Sequence, residues 1–287
     1  MIPAQFDYAA PATLDEALSL LAEHADDAKI LAGGHSLIPA MKLRLAQPAL
    51  LIDIARVRGL SYIREDGGRI LVGALTTHYE IESSARLRDI CPLLPECAAS
   101  IGDVQVRNKG TIGGSLAHAD PAADWPAAII ALRAELVVAS TRGERVITSD
   151  DFFVDMLTTA LRPDEVLREI RIGVPPARTG QSYMKVHHPA SGFAVVGVAV
   201  SLTLGVDGKC SAAGVGVTGV ASKAYRATQV EGALAGSTLD EKTISNAASH
   251  AADSTDANGD IYASADYRRH LAVVYTRRAI AAAVAKI

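Results

Sequence analysis

The sequence is poor in cysteine and aromatic residues: three cysteines and one tryptophan stand among 287 residues, and Phe, Trp and Tyr together make up 5%. Cys91, Cys97 and Cys210 are too few for a disulfide framework, and the Cys91–Cys97 spacing fits neither a CxxC zinc pair nor an iron–sulfur run. They read as buried, reduced thiols of a cytoplasmic protein. Basic runs are missing too, none being longer than Arg277–Arg278, and a net charge of −4 gives no attraction to nucleic acid or to an anionic membrane surface. Apolar runs are short. Ala127–Leu132 is ended by Arg133, well below the roughly 18 residues of a membrane span, so no transmembrane segment is expected. The opening MIPAQFDYAA lacks a basic stretch followed by an apolar one, which excludes a secretory signal. HExxH does not occur, and the adjacent His187 and His188 point to opposite sides of a strand, so no metal site is expected.

What remains is a globular composition, 49% hydrophobic and 21% charged, long enough for two domains or three small ones. The first 55 residues alternate strand and helix. Thr13-Leu-Asp-Glu16 is a capping box, and Leu14, Ala17, Leu18 and Leu21 recur on one helical face. KILAG reads as a strand, SLIPAMKLRL as a helix capped by Ser36, and ALLIDI as a buried strand, which together predict a small parallel sheet. From Arg56 the texture changes. GRILVGALT, AELVVAS, ERVIT and VLREIRIGV are strands, Thr77–Glu80 is a second capping box, and Asp124 is placed to cap a helix over Pro126–Leu132. VPPARTG, residues 174–180, reads as a linker. Beyond it, a long strand over Phe193–Leu204, an Asp-Gly turn and CSAAGVGVTGV predict a hairpin, followed by Ala-rich amphipathic helices.

Two glycine loops carry the chemistry. LAGGHSLIPA contains Gly34-His35-Ser36, but a hydrolase elbow needs G-x-S-x-G, and here the second glycine is Ile38. Ser36 is a poor nucleophile. A Gly-Gly turn between strand and helix suits another task, because a helix start presents unsatisfied N–H groups that can cradle a pyrophosphate. The second loop, Thr111-Ile112-Gly113-Gly114-Ser115, repeats the pattern of two glycines and a serine, and two such loops could close on one diphosphate. Neither is GxGxxG nor GxxxxGK[ST], so Rossmann and P-loop readings lose support. Ordinary tight turns also use Gly-Gly.

Taken together, AGGHSLIPAMKLRL and RNKGTIGGSLAHADPAADWPA make the resemblance specific, and it covers essentially the whole chain. The sequence resembles the FAD-binding medium subunits of the molybdenum hydroxylases (the xanthine oxidase family), and among them those of the aerobic carbon monoxide dehydrogenase type. The resemblance implies an α+β fold: a two-lobed, PCMH-type FAD-binding domain followed by a C-terminal domain of antiparallel sheet packed with helices. The first lobe (1–55) would be a small βαβ unit and the second (56–176) an α/β unit with a mixed sheet; the C-terminal domain would cover 177–287. It implies FAD held by Leu31, Ala32, Gly33, Gly34, His35, Ser36, Leu37 and Ile38 from the first loop, and by Thr111, Ile112, Gly113, Gly114 and Ser115 from the second. Ile101 and Leu167 would line the flavin pocket. Asp124 would contact the cofactor, a role open beside its reading as a plain helix cap. Lys185 would sit near the flavin and favour its reduced form; read by itself it is a solvated strand-edge lysine. Phe193 stands where the carbon monoxide dehydrogenase relatives have a tyrosine beside the isoalloxazine, Gly192 replaces an Asp that often precedes it, and Ser115 replaces an Asn.

On that resemblance the chain is an electron-transfer oxidoreductase subunit without catalytic side chains of its own. It would take electrons from [2Fe-2S] clusters on a small partner subunit and pass them to an external acceptor. A large partner would hold the molybdenum cofactor, in a dimer of heterotrimers whose only membrane contact would be peripheral, through the acceptor. Two rival readings are a stand-alone FAD oxidoreductase of the vanillyl-alcohol oxidase type, and a cofactor-free scaffold in which both Gly-Gly turns are structural.

Overall fold

The computed structural model describes residues 1–24, 26–253 and 255–287. Its first layer contains β1 (Asp7–Ala9), α1 (Leu14–Glu23), β2 (Ala28–Leu31), α2 (Leu37–Lys42) and β3 (Leu50–Asp53). The three strands form a parallel sheet in the order β1-β3-β2, as the alternation of strand and helix predicts. α1 begins at the expected capping box: Thr13 accepts from the Glu16 N–H at 3.2 Å, and the Glu16 carboxylate accepts from the Thr13 N–H. Ala17, Leu18 and Leu21 are buried, and they pack with Ala28 and Ile52 of the sheet.

The second unit begins with β4 (Ile63–Asp66) and β5 (Arg69–Gly73), then runs through α3 (His78–Ser83), α4 (Ala85–Ile90), α5 (Leu93–Ala99), α6 (Val104–Lys109), α7 (Ile112–His118) and α8 (Trp125–Ala131). β6 (Glu135–Ser140), β7 (Gly143–Thr148), α9 (Ser149–Phe152), the small hairpin of β8 (Phe153–Asp155) and β9 (Thr158–Thr159), and β10 (Val166–Gly173) complete it. The sheet order is β4-β5-β10-β6-β7. Every pair is antiparallel, which corrects the mixed sheet expected for this lobe. The reason is local. β4–β5 and β6–β7 are hairpins closed by short turns, and β10 enters between β5 and β6 running against both, whereas a parallel pair would need a crossover. Ile70, Val72, Leu136, Val138 and Ile170 from the sheet meet Ile112, Leu116, Trp125 and Ile129 from the helices in one core.

The last unit holds β11 (Thr179–His187), β12 (Ala194–Leu204), β13 (Cys210–Thr218), β14 (Tyr225–Arg226), α10 (Thr228–Leu234), α11 (Glu241–Ser249) and α12 (Ala265–Val284). Its four strands are antiparallel in sequence order, and the predicted hairpin is β12–β13. The linker expected over 174–180 is shorter, because β11 already begins at Thr179. Gly180 belongs to that strand: the Ala283 carbonyl of α12 lies where its Cβ would stand. On the other side, α8 lies directly on β13. Gly214 and Gly216 have no side chains in the way of the Ala131 and Ala127 carbonyls, so the α8 backbone reaches the sheet. α8 therefore joins the second and third units. Among the described residues no helix is long and apolar enough to cross a membrane.

Candidate functional site

The two glycine loops are neighbours in space. A Cβ on Gly33 would lie 2.5 Å from the Lys109 carbonyl oxygen and 2.8 Å from the Gly110 Cα, immediately before the second loop. A Cβ on Gly114 would lie 3.7 Å from that of Ala32. The loops therefore meet across the boundary between the first two units.

Their chemistry differs. In the first loop Gly34 has φ +79, a conformation that suits glycine, and its carbonyl accepts from the Ile38 N–H at 3.0 Å. The N–H groups of Gly33, Gly34, His35, Ser36 and Leu37 make no hydrogen bond to any described residue. Ser36 stands at the start of α2 with helical dihedrals and makes no capping bond, contrary to its expected role. A cap needs an extended backbone to turn its oxygen back onto the helix, and φ −104, ψ −49 does not provide it. Its hydroxyl is left free beside the amides. His35 and Ile38 are exposed, and Leu31, Ala32 and Leu37 are half-buried.

The second loop offers no such row of amides. The Ile112 N–H donates to the Thr76 carbonyl at 3.0 Å, Gly113 to Ala74 at 2.9 Å, and Gly114 to the Thr111 hydroxyl at 3.1 Å. Gly113 is glycine because the Ala74 backbone passes 2.6 Å from where its Cβ would be. This loop thus supplies shape, and it also carries a half-buried Ser115 hydroxyl with no partner among the described residues. Such a combination fits a pyrophosphate: five N–H donors and two hydroxyls on loops that meet between two units.

At the other end, Ile101 is partly buried against the main core, and the adjacent Gly102 lies 3.9 Å from the Cβ position of Gly192. Gly192 leads into Phe193, whose ring is 44% exposed, enough to accept a planar partner. Lys185 does lie on an edge strand, β11, but it is not solvated. Its side chain is 1% exposed, its Nζ lies 2.8 Å from Asp124 Oδ1, and it also donates to the Ser100 carbonyl at 2.9 Å. Asp124 accordingly does not cap α8; its carboxylate is taken by Lys185 and by the Tyr183 hydroxyl at 2.6 Å. Burial pushes the Asp124 carboxyl above its usual range, opposed by the Lys185 ammonium and the Tyr183 hydrogen bond. The Tyr183 hydroxyl is pushed well up, first by burial and then by the neighbouring carboxylate.

Leu167 is 4% exposed and belongs to the core of the second unit, next to the bulge between Leu167 and Glu169. The structure brings it toward the second loop through the backbone: the Arg168 carbonyl accepts from Ala74, whose own carbonyl accepts from Gly113. Two contributors were missed in the sequence. Tyr183 was findable, since it lies two residues before Lys185 on a strand and so faces the same side. His78 was not. Its Nδ1 accepts from the Trp125 indole at 3.0 Å, its ring lies under Gly110, and burial lowers its pKa to about 4. Only the tertiary fold, which brings the starts of α3 and α8 together, creates that pair.

Residues 4–175 match the family model of the FAD binding domain in molybdopterin dehydrogenase, and residues 181–283 match the CO dehydrogenase flavoprotein C-terminal domain. The chain is 38% identical over 284 residues to subunit alpha of the 6-hydroxypseudooxynicotine dehydrogenase complex of Paenarthrobacter nicotinovorans, covering 99% of this chain and 96% of that one. It is 38% identical over 286 residues to the carbon monoxide dehydrogenase medium chain of Afipia carboxidovorans, covering 100% and 99%. Among solved structures, carbon monoxide dehydrogenase from Hydrogenophaga pseudoflava, in a form lacking the Mo-pyranopterin moiety of its molybdenum cofactor, superposes with a TM-score of 0.96 at 41% identity, covering 100% of this chain and 99% of that one. The row of free amides, the three-unit fold and these full-length matches agree: the chain belongs to the FAD-binding flavoprotein subunits of the molybdopterin dehydrogenases, of the carbon monoxide dehydrogenase type.

Proposed function

We propose that this chain is the electron-transfer subunit of a molybdenum hydroxylase complex, standing between a small iron–sulfur subunit and an external acceptor. A large subunit with the molybdenum cofactor would bind and oxidise the substrate, and the assembly would be a dimer of heterotrimers. FAD, when bound, supplies the redox chemistry, accepting electrons that arrive from [2Fe-2S] clusters and yielding them to the acceptor. Every other task belongs to this chain's residues. The observation that carries the reading is the row of unpartnered N–H groups over residues 33–37, packed against the second glycine loop.

In this reading Leu31–Ile38 hold the pyrophosphate with their amides and the Ser36 hydroxyl, and Thr111–Ser115 close it from the other side through shape and the Ser115 hydroxyl. Ile101, Leu167 and Phe193 form apolar walls, and the Asp124–Lys185 pair braces the wall at Ser100. The three larger sheets support working limits of 1–55, 56–176 and 177–287 for the two cofactor lobes and the C-terminal domain. Substrate choice lies outside this chain, since relatives of similar identity are named for carbon monoxide and for 6-hydroxypseudooxynicotine.

The test is purification of the chain alone and with co-expressed partners. A yellow protein that retains FAD, shows no turnover alone and relays electrons only in the complex is the expected result. Oxidase turnover by the isolated chain, or a colourless chain that cannot be reconstituted, would refute the proposal.

A further inference from the structure

Three consecutive carbonyls, those of Ser100, Ile101 and Gly102, each accept a hydrogen bond from a cation. Lys185 Nζ reaches the first at 2.9 Å. Arg107 Nη1 reaches the second at 3.0 Å and the third at 3.4 Å. Each cation has its own carboxylate: Asp124 for Lys185, and Glu82 for Arg107, with Nε 2.7 Å from Oε2. The Arg107 and Glu82 side chains are 15% and 27% exposed, so this pair is largely shielded from water.

The place of Arg107 in the fold gives the clamp its consequence. It sits on α6, which has six residues, none of them buried, and which is too short to be a stable helix by itself. α6 is held at its start by Asp103, which accepts from the Val106 N–H at 2.9 Å, and its end leads through Lys109–Gly110 into contact with Gly33. One short helix therefore spans from the turn that carries Ile101 to the loop with the free amides. The guanidinium suits this position because its rigid planar fork meets the carboxylate through Nε and the two carbonyls through Nη1, fixing all three partners in one geometry.

We propose that Arg107, seated by Glu82, is a positioning residue of the cofactor site: it fixes the Ser100–Gly102 turn, and with it Ile101, relative to the phosphate-binding loop. The inference rests on the reading of Ile101 and the glycine loops as FAD contacts. Arg107 touches no cofactor in this scheme and acts through the turn it holds.

The experiment compares the full-length wild-type chain with Arg107→Met, Arg107→Lys, Glu82→Gln and Ile101→Ala. The readouts are the FAD dissociation constant, the visible circular dichroism of the bound flavin and its midpoint potential. Arg107→Met is expected to weaken FAD binding about tenfold, the loss of one charge-assisted contact, and to alter the flavin dichroism. Arg107→Lys restores part of the affinity. Glu82→Gln leaves the guanidinium without its counter-charge and raises the midpoint potential, which a purely structural role would not do. If Ile101→Ala perturbs the flavin while Arg107→Met and Glu82→Gln leave affinity, dichroism and potential at wild-type values, the inference is overturned and the site reading stands. If wild type takes up no FAD, or Ile101→Ala changes nothing, the site reading itself fails and the inference falls with it.

Discussion

Lys185 and Asp124 form a closed ion pair between β11 and the start of α8, with Nζ 2.8 Å from Oδ1 and side-chain exposures of 1% and 5%. Paired in this way, the lysine does not present a free positive charge to the cofactor site. The Asp124→Asn variant should leave the ammonium uncompensated, cost about 3–5 kcal/mol in urea unfolding, and make bound flavin easier to reduce. The double variant Asp124→Asn, Lys185→Met should regain most of that stability. A single variant as stable as wild type would show that the pair is open to water.

Lys185→Met has a different signature. Burial already pushes the Asp124 carboxyl up, and without the ammonium its largest charged opponent is gone, leaving the Tyr183 hydrogen bond and the more distant His187, so the carboxyl is expected to hold a proton more readily and the site to stay closer to neutral. The midpoint potential should then move little. Because the folded carboxyl lies above its unfolded value, its contribution is complete at low pH and is lost as pH rises through the folded pKa. Urea titrations of this variant should therefore show falling stability with increasing pH, and a flat or rising profile would contradict the burial argument.

His78 gives the opposite sign. Burial lowers its pKa from 6.5 to about 4, while its Nδ1 accepts from Trp125. The unfolded chain binds that proton more readily, so stability is full above the unfolded pKa and is lost as pH falls toward the folded one, by up to about 3 kcal/mol. Trp125 is the single tryptophan, so its emission reports the change directly. A quenching midpoint near 4 is expected; one near 6.5 would mean that the imidazole is solvated.

Gly33→Val should abolish FAD retention. Its Cβ would meet the Lys109 carbonyl at 2.5 Å, backbone that cannot swing aside, and the loops must separate to admit it. Far-ultraviolet dichroism should stay close to wild type, since the contact joins two units and lies outside both cores. Undiminished flavin stoichiometry in the purified variant would remove the two-loop cradle from consideration.

Phe193→Tyr tests the exposed ring. At 44% exposure the added hydroxyl needs no buried partner, so stability should hold within about 0.5 kcal/mol. The flavin absorption bands or the rate of electron delivery to the acceptor should shift. An unchanged spectrum together with an unchanged rate would mean that the ring does not face the cofactor.

Much of the local structure was legible because it depends on neighbours in the chain. The capping boxes at Thr13–Glu16 and Thr77–Glu80 both form, since each needs only residues three apart. The glycine loops were legible for the same reason, and their motif pointed to the family. The fate of their amides was not legible. Both loops pair two glycines with a nearby serine, yet the first is left open and the second is bound to Ala74 and Thr76, residues nearly 40 positions earlier in the chain.

By itself the sequence determined the order of elements, the two Gly-Gly turns and the absence of cysteine sets for a cluster, because backbone sterics, capping and residue chemistry act over a few positions. Tertiary structure alone decided which charges are neutralised, which helix starts keep free donors, and that α6 joins the Ser100–Gly102 turn to the glycine loops. Those outcomes depend on the low-dielectric packing of α5, α8 and β11 against one another, and residues 60 positions apart acquire such relations only when the sheets assemble.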